Sequence, residues 1–217
     1  MRQLRRPLPS AEFAKLHLEV EEIDLPDPWW NLRWKIHLDL TMVFHASAAG
    51  RLTPESGRVK CLYLARTPNT SFYETYGDDV AAAKELGTTH TLSATEMKER
   101  VYATGSPTPT LHLYDLTTEG SAKKIGMDLA TLYTAQVDHP RAFAQRLHDH
   151  PRHFDGILYT SRHTQGPCLV LWATYNPDLQ KLVLTEHSRL WDYALLDPGL
   201  APGQVKVFDD VIGVAAP

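Results

Sequence analysis

The chain has 217 residues, 43% of them hydrophobic and 22% charged, with a formal net charge of −4. That length suits one domain with a substantial core, and the composition excludes an intrinsically disordered chain. The slight acidity gives no bulk attraction for nucleic acid, so any polyanionic ligand has to be met by a local cluster of cations.

The start, MRQLRRPLPS, is basic, but no apolar stretch with a small-residue cleavage site follows it, so no signal peptide is expected. Apolar runs such as CLVLWA are too short to span a bilayer, and no membrane partner is expected. Cys61 and Cys168 each sit in an apolar, strand-like run and are expected as buried free thiols. These features together predict a cytoplasmic, reducing location.

Residues 1–34 carry four prolines, at 7, 9, 26 and 28, and the aromatics Trp29, Trp30 and Trp34, with a helical stretch around Ala11 to Glu21. They read as an N-terminal extension packed on a domain of residues 35–217. In KIHLDLTMVF, Ile36, Leu38, Leu40, Met42 and Phe44 recur with a period of two, which predicts a half-buried strand. CLYLA predicts a second strand, followed by a short helix from about Thr70 that Gly77 and Asp78-Asp79 interrupt or restart.

Ser93 and Glu96 have capping-box spacing and predict a helix from Ala94 to about Tyr102. TLHLYDLT reads as a strand, and DHPRAFAQRLHDH as a helix with Asp138 as N-cap and Pro140 in its first turn. Further strands are expected at GILYTS, CLVLWAT, KLVLTE and QVKVF. Short strands mixed with short helices, without regular alternation, predict an α+β fold with a mixed or split sheet.

Three residues carry the chemistry. Arg51 lies in AAGRL, Glu74 closes NTSFYE after the CLYLA strand, and Ser161 ends FDGILYTS. A cation, a carboxylate and a hydroxyl, each at the edge of a predicted element, are the parts needed to hold a nucleotide and break its glycosidic bond. Taken singly, Arg51 reads as an ordinary loop arginine, Glu74 as a solvated helix residue and Ser161 as a strand terminus. Tyr63, inside an apolar strand, reads as core.

Their order singles them out. From about His45 to Trp172 the chain resembles the RES domain family, named for an Arg, a Glu and a Ser. The resemblance rests on Arg51, Leu62 to Ala65, Thr70 to Glu74, Tyr114 to Thr117, Phe154 to Ile157 and Tyr159 to Arg162, in that sequence and spacing. It implies an ADP-ribosyltransferase-like fold and a bacterial toxin that consumes NAD or transfers its ADP-ribose. It also implies an antitoxin partner, usually a small helix-turn-helix protein.

On that resemblance Glu74 would stabilise an oxocarbenium-like ribose and Arg51 would hold the pyrophosphate. Tyr63 would stack on nicotinamide or bond ribose, and Ser161 would bond ribose or phosphate. NAD is then a substrate and no cofactor is expected. One departure stands out: where RES proteins often carry an earlier arginine, this chain has Val43 and Phe44. Phosphate anchoring then passes to Arg58, Arg33 or Lys35, or catalysis is weakened, while His45 either adds a hydrogen bond or is a structural histidine.

His148, His150 and His153 in HDHPRH invite a metal. Pro151 breaks their helical arrangement, and they read instead as a solvated helix end, with no metal. The expected reaction is cleavage of the nicotinamide–ribose bond with water or phosphate as acceptor. The alternatives are ADP-ribosyl transfer to a protein side chain and a catalytically silent binding module. The tryptophans of the N-terminal stretch are candidates for antitoxin contact or self-association, or for core packing.

Overall fold

The computed structural model describes residues 6–23, 28–38, 50–105, 110–133, 136–179, 184–195, 198–208 and 210–214. In chain order the strands are β1 (Glu21–Ile23), β2 (Trp29–Trp34), β3 (Cys61–Ala65), β4 (His90–Leu92), β5 (Arg100–Gly105) and β6 (Leu111–Asp115), then β7 (Gly156–Thr160), β8 (Pro167–Trp172), β9 (Thr185–Arg189), β10 (Gln204–Phe208) and β11 (Val211–Val214). The helices are α1 (Ser10–Phe13), α2 (Pro68–Glu85), α3 (Ala94–Glu99), α4 (Ser121–Lys124), α5 (Leu129–Tyr133) and α6 (Asp138–His148).

Among the described residues, eight strands form one sheet in the order β1-β6-β7-β8-β3-β2-β5-β9, and three form another in the order β10-β11-β4. In the large sheet β6 and β7 run parallel and the other neighbours antiparallel. A parallel pair needs a crossover, and α4, α5 and α6 lie in that connection. The architecture is mixed α+β, as the irregular order of elements predicted.

The centre of the large sheet reads as continuous apolar sequence because both of its faces are covered. From β3 and β8, Cys61, Ala65, Cys168, Val170 and Trp172 face one way, into a core shared with Phe143, Ala144 and Leu147 of α6. Leu62, Leu64, Leu169 and Leu171 face the other way, with Trp29, Leu179 and Leu184. A third core joins Phe72, Tyr76 and Val80 of α2 to Met97, Tyr102, Val205 and Val211, and so ties the small sheet to the large one. Cys61 and Cys168 are buried free thiols. Among the described residues no helix is long and apolar enough to cross a membrane.

Several elements depart from expectation. Trp29–Trp34 is an interior strand of the large sheet rather than part of an extension, and Trp29 is buried while Trp30 and Trp34 are half-buried. It pairs with β5 from Trp29 opposite Gly105 to Trp34 opposite Arg100. At Arg100 the partner strand begins, so pairing ends there and Lys35–His37 becomes a 3-10 turn with Ile36 exposed, instead of the start of a strand. Residues 39–44 of that expected strand lie outside the described residues.

The same pairing shortens α3. Its capping box forms, with Ser93 Oγ accepting from Glu96 N and the Glu96 carboxylate accepting from Ser93 N. The helix stops at Glu99 because residues 100–105 are claimed by β2 and β9. α6 has Val137 as N-cap and Asp138 in its first turn, where the carboxylate suits the helix dipole. Of the strand expected at KLVLTE, Thr185 and Glu186 open β9, which runs on to Arg189, and residues 181–183 lie outside the described residues.

Candidate active site

The large sheet opens between β2 and β3. Their pairing consists of Trp30 opposite Ala65, and beyond it the side-chain amide of Asn31 donates to the Tyr63 carbonyl at 2.8 Å. That bond satisfies a backbone oxygen the ladder leaves unpaired. The gap between the strands leads to a cavity of about 440 Å³, roofed by α2 and by the end of β7. Its size falls in the range of small-molecule sites.

α2 presents two stripes. Phe72, Tyr76 and Val80, four residues apart, enter the third core, whereas Ser71, Glu74, Thr75 and Asp78 line the cavity. The helix starts on Thr67, whose hydroxyl accepts from Thr70 N, with Pro68 in its first turn. It does not break at Gly77. A Cβ there would come within 2.6 Å of the His163 ring, so glycine lets the helix lie against the turn after β7.

That contact brings Glu74 to β7. Tyr159 Oη donates to Glu74 Oε2 at 2.8 Å, and Ser161 Oγ donates to Oε1 at 2.7 Å. Both carboxylate oxygens are thereby fixed by hydroxyls two residues apart in the chain. Ser161 is fully buried, and its oxygen also accepts from His163 N and Thr164 N at 3.3 and 3.4 Å. Ser161 is thus bonded to Glu74 in this geometry and lies outside the cavity lining.

Arg51 enters the cavity from a turn held by Tyr63. Tyr63 Oη accepts from Leu52 N at 3.1 Å and bonds Thr53 Oγ1 at 3.0 Å. Gly50 is required here, because a Cβ would come within 2.4 Å of that phenolic oxygen. Arg51 Nη1 is buried and finds no hydrogen-bond partner among the described residues. Burial lowers the guanidinium pKa, and the Glu74 carboxylate opposes that shift. A half-buried guanidinium with one buried, unsatisfied nitrogen, sharing a cavity with a doubly fixed carboxylate, makes this cavity the candidate binding site.

The cavity thus gathers Arg51, Glu74 and Tyr63, with Ser161 behind them. It also holds Tyr159, Asp78, Arg162 and His163, to which the sequence reading gave no site role. Tyr159 carried a usable signal, since it lies two positions from Ser161 at the strand's end and alternate strand residues share a side. Arg162 stood inside the quoted Tyr159 to Arg162 segment without a role of its own, and Asp78, an exposed helix acid, carried no signal.

Other candidates lie elsewhere. Arg58 is exposed and outside the cavity lining. Arg33 is buried, donating from Nε to Asn31 Oδ1 at 2.6 Å and from Nη1 to the His37 carbonyl at 3.4 Å, and burial lowers its pKa to about 10. It orients Asn31 but does not line the cavity. Lys35 is exposed near Glu186 at 3.9 Å, and His45 lies outside the described residues. His148 and His150 are buried rather than solvated: His148 bonds Asp149 and Thr174, and His150 bonds the Leu16 carbonyl.

Fold and site together define a mixed α+β protein organised around one carboxylate–arginine cleft. The chain belongs to the RES domain family, whose model matches residues 28–195. Among solved structures it is similar to a chain of the M. tuberculosis MbcT-MbcA toxin–antitoxin complex, at 19% sequence identity and a TM-score of 0.55, covering 76% of this chain and 84% of that one. No curated protein matches the chain.

Proposed function

We propose that this protein is the toxin of a toxin–antitoxin pair and that it consumes NAD, cleaving the nicotinamide–ribose bond with water or phosphate as acceptor. Membership of the RES family and the likeness in fold to a chain of a toxin–antitoxin complex support the toxin reading. The observation that carries the enzymatic reading is the Glu74 carboxylate, fixed at both oxygens and sharing one cavity with Arg51, whose buried Nη1 has no hydrogen-bond partner among the described residues.

The chemistry suits these parts. As the glycosidic bond breaks, its electron pair goes to the pyridinium, nicotinamide leaves neutral, and positive charge develops on the ribose. A carboxylate already held in position stabilises that charge without reorganising. Arg51 binds the diphosphate through charge-assisted bonds that satisfy its buried Nη1. Tyr63, pinned in the strand below, gives the ribose or nicotinamide a rigid wall, and NAD is the substrate with no further cofactor. A helix-turn-helix antitoxin covering the cleft would restrain the activity in the cell.

The test is incubation of purified protein with NAD, with and without phosphate, and identification of products by mass. Free nicotinamide with ADP-ribose or its phosphorylated form is the expected result. ADP-ribose attached to a protein without free product would favour transfer. No NAD binding by calorimetry would remove both enzymatic readings and leave a silent binding module. In bacteria, expression should arrest growth with loss of NAD, and Glu74→Gln should relieve the arrest.

A further inference from the structure

The cavity holds a second guanidinium besides that of Arg51. Arg162 follows Ser161 at the end of β7, and its side chain is only 19% exposed. Its Nε donates to His163 Nε2 at 3.1 Å, its Nη1 lies 3.5 Å from the Tyr133 carbonyl, and its Nη2 is bonded to the carboxylate of Asp78. Asp78 stands one helical turn after Glu74 on the cavity face of α2, with its side chain 71% exposed.

We propose that Arg162 is a second anion-binding residue of this cavity, and that Asp78 is an internal carboxylate that holds it in the free protein and yields it to the diphosphate of an incoming ligand. The proposal rests on the reading of the cavity as a dinucleotide site, but its anion chemistry is measurable separately.

Three observations carry it. Among the described residues, the charged side chains lining the cavity are two guanidiniums, Arg51 and Arg162, against two carboxylates, Glu74 and Asp78. Glu74 is tied at both oxygens, so Asp78 is the carboxylate able to leave. If it swings into water, the cavity is left with one net positive charge, suited to a diphosphate.

The two members of the pair are also unequally solvated. An exposed carboxylate gains little from an ion pair and loses little on release, whereas the part-buried guanidinium needs an anion in front of it. Proximity to Arg51 raises that need, because burial and then Arg51 both disfavour the charged form of Arg162. A diphosphate spanning the two guanidiniums would relieve both. His163, whose pKa burial lowers, accepts from Arg162 as a neutral ring and keeps the fork oriented.

Calorimetric titration with inorganic pyrophosphate and with ADP-ribose tests the arrangement in wild type, Arg162→Gln, Asp78→Asn and the double variant. The expected result is that Arg162→Gln weakens pyrophosphate roughly tenfold or more and Asp78→Asn tightens it, with the tightening absent when both are changed. Arg162→Lys, which keeps the charge without the fork, should fall between Gln and wild type. Unchanged or weaker binding in Asp78→Asn would overturn the role of Asp78, and unchanged binding in Arg162→Gln that of Arg162. Pyrophosphate binding that follows the expected pattern without any ADP-ribose binding would overturn the dinucleotide reading alone. Equal ADP-ribose affinity in all four proteins would overturn the pair while leaving that reading intact.

Discussion

Ser161 reaches Glu74 across 87 positions of sequence, and at 2.7 Å its buried hydroxyl donates to Oε1 of the carboxylate that faces the cavity. The geometry supports a positioning role for the serine, exerted through the glutamate. Tyr159, which also lines the cavity, donates to Oε2, so both carboxylate oxygens are held by hydroxyls from the end of β7.

Ser161→Ala and Tyr159→Phe should each lower kcat on NAD about tenfold with little change in KM, since positioning rather than binding is lost. Each also removes one bond to a carboxylate, costing about 1–3 kcal/mol of stability. Steady-state kinetics beside thermal melts check both effects. A change confined to KM would return Ser161 to a ligand contact.

Glu74→Gln should reduce turnover on the order of 100- to 1000-fold, because the amide keeps the shape and removes the charge that meets the developing oxocarbenium. Arg51→Met should behave oppositely in stability and binding. It removes a half-buried cation with one buried, unsatisfied nitrogen, so the melting temperature should hold or rise, while NAD affinity falls by roughly 1.5–3 kcal/mol. A large loss of stability in Arg51→Met would mean that the arginine is structural.

The contrast between these residues explains what the sequence disclosed. Short continuous apolar runs located β3, β7 and β8, because strands covered on both faces lose the polar alternation and leave a near-continuous apolar signal. Arg51, Glu74 and Ser161 were visible through their order along the chain. What stayed hidden depended on long-range pairing. Nothing local says that WWNLRW joins the sheet while Lys35 to His37 turn away from it, since that choice is made by the six-residue register with β5. Gly77 reads as a helix breaker until His163 is seen against it, and Asp78 reads as a surface acid until Arg162 arrives from 84 positions away.

Gly50→Ala should damage the site without touching a charged group. The added methyl would sit 2.4 Å from Tyr63 Oη and 2.5 Å from Thr53 Oγ1, both of which shape the turn carrying Arg51. Overpacking of this kind costs roughly 1–3 kcal/mol, and relief requires the Tyr63 bond to Leu52 N to break. A lower melting temperature together with weaker NAD binding is expected. Wild-type affinity in this variant would show that the turn tolerates displacement.

Stability should fall as the medium becomes acidic, partly through His150. Its ring is buried against Phe13 and Phe154, with Nε2 bonded to the Leu16 carbonyl at 3.2 Å and Nδ1 accepting from Arg152 N at 3.2 Å. Both bonds are satisfied by the neutral ring protonated on Nε2, and burial lowers the pKa, with smaller contributions in the same direction from Arg152 and His153 and an opposing one from Leu16. A group whose folded pKa lies below its unfolded value binds more protons when unfolded, so its stabilisation is complete above about pH 6.5 and is lost as pH falls from there toward the folded value. His163 is shifted the same way. Melting temperatures between pH 7.5 and 5.5 should therefore decline, and His150→Gln should flatten part of that decline while leaving the share due to His163. An equally steep decline in the variant would remove His150 as a source of the acid sensitivity.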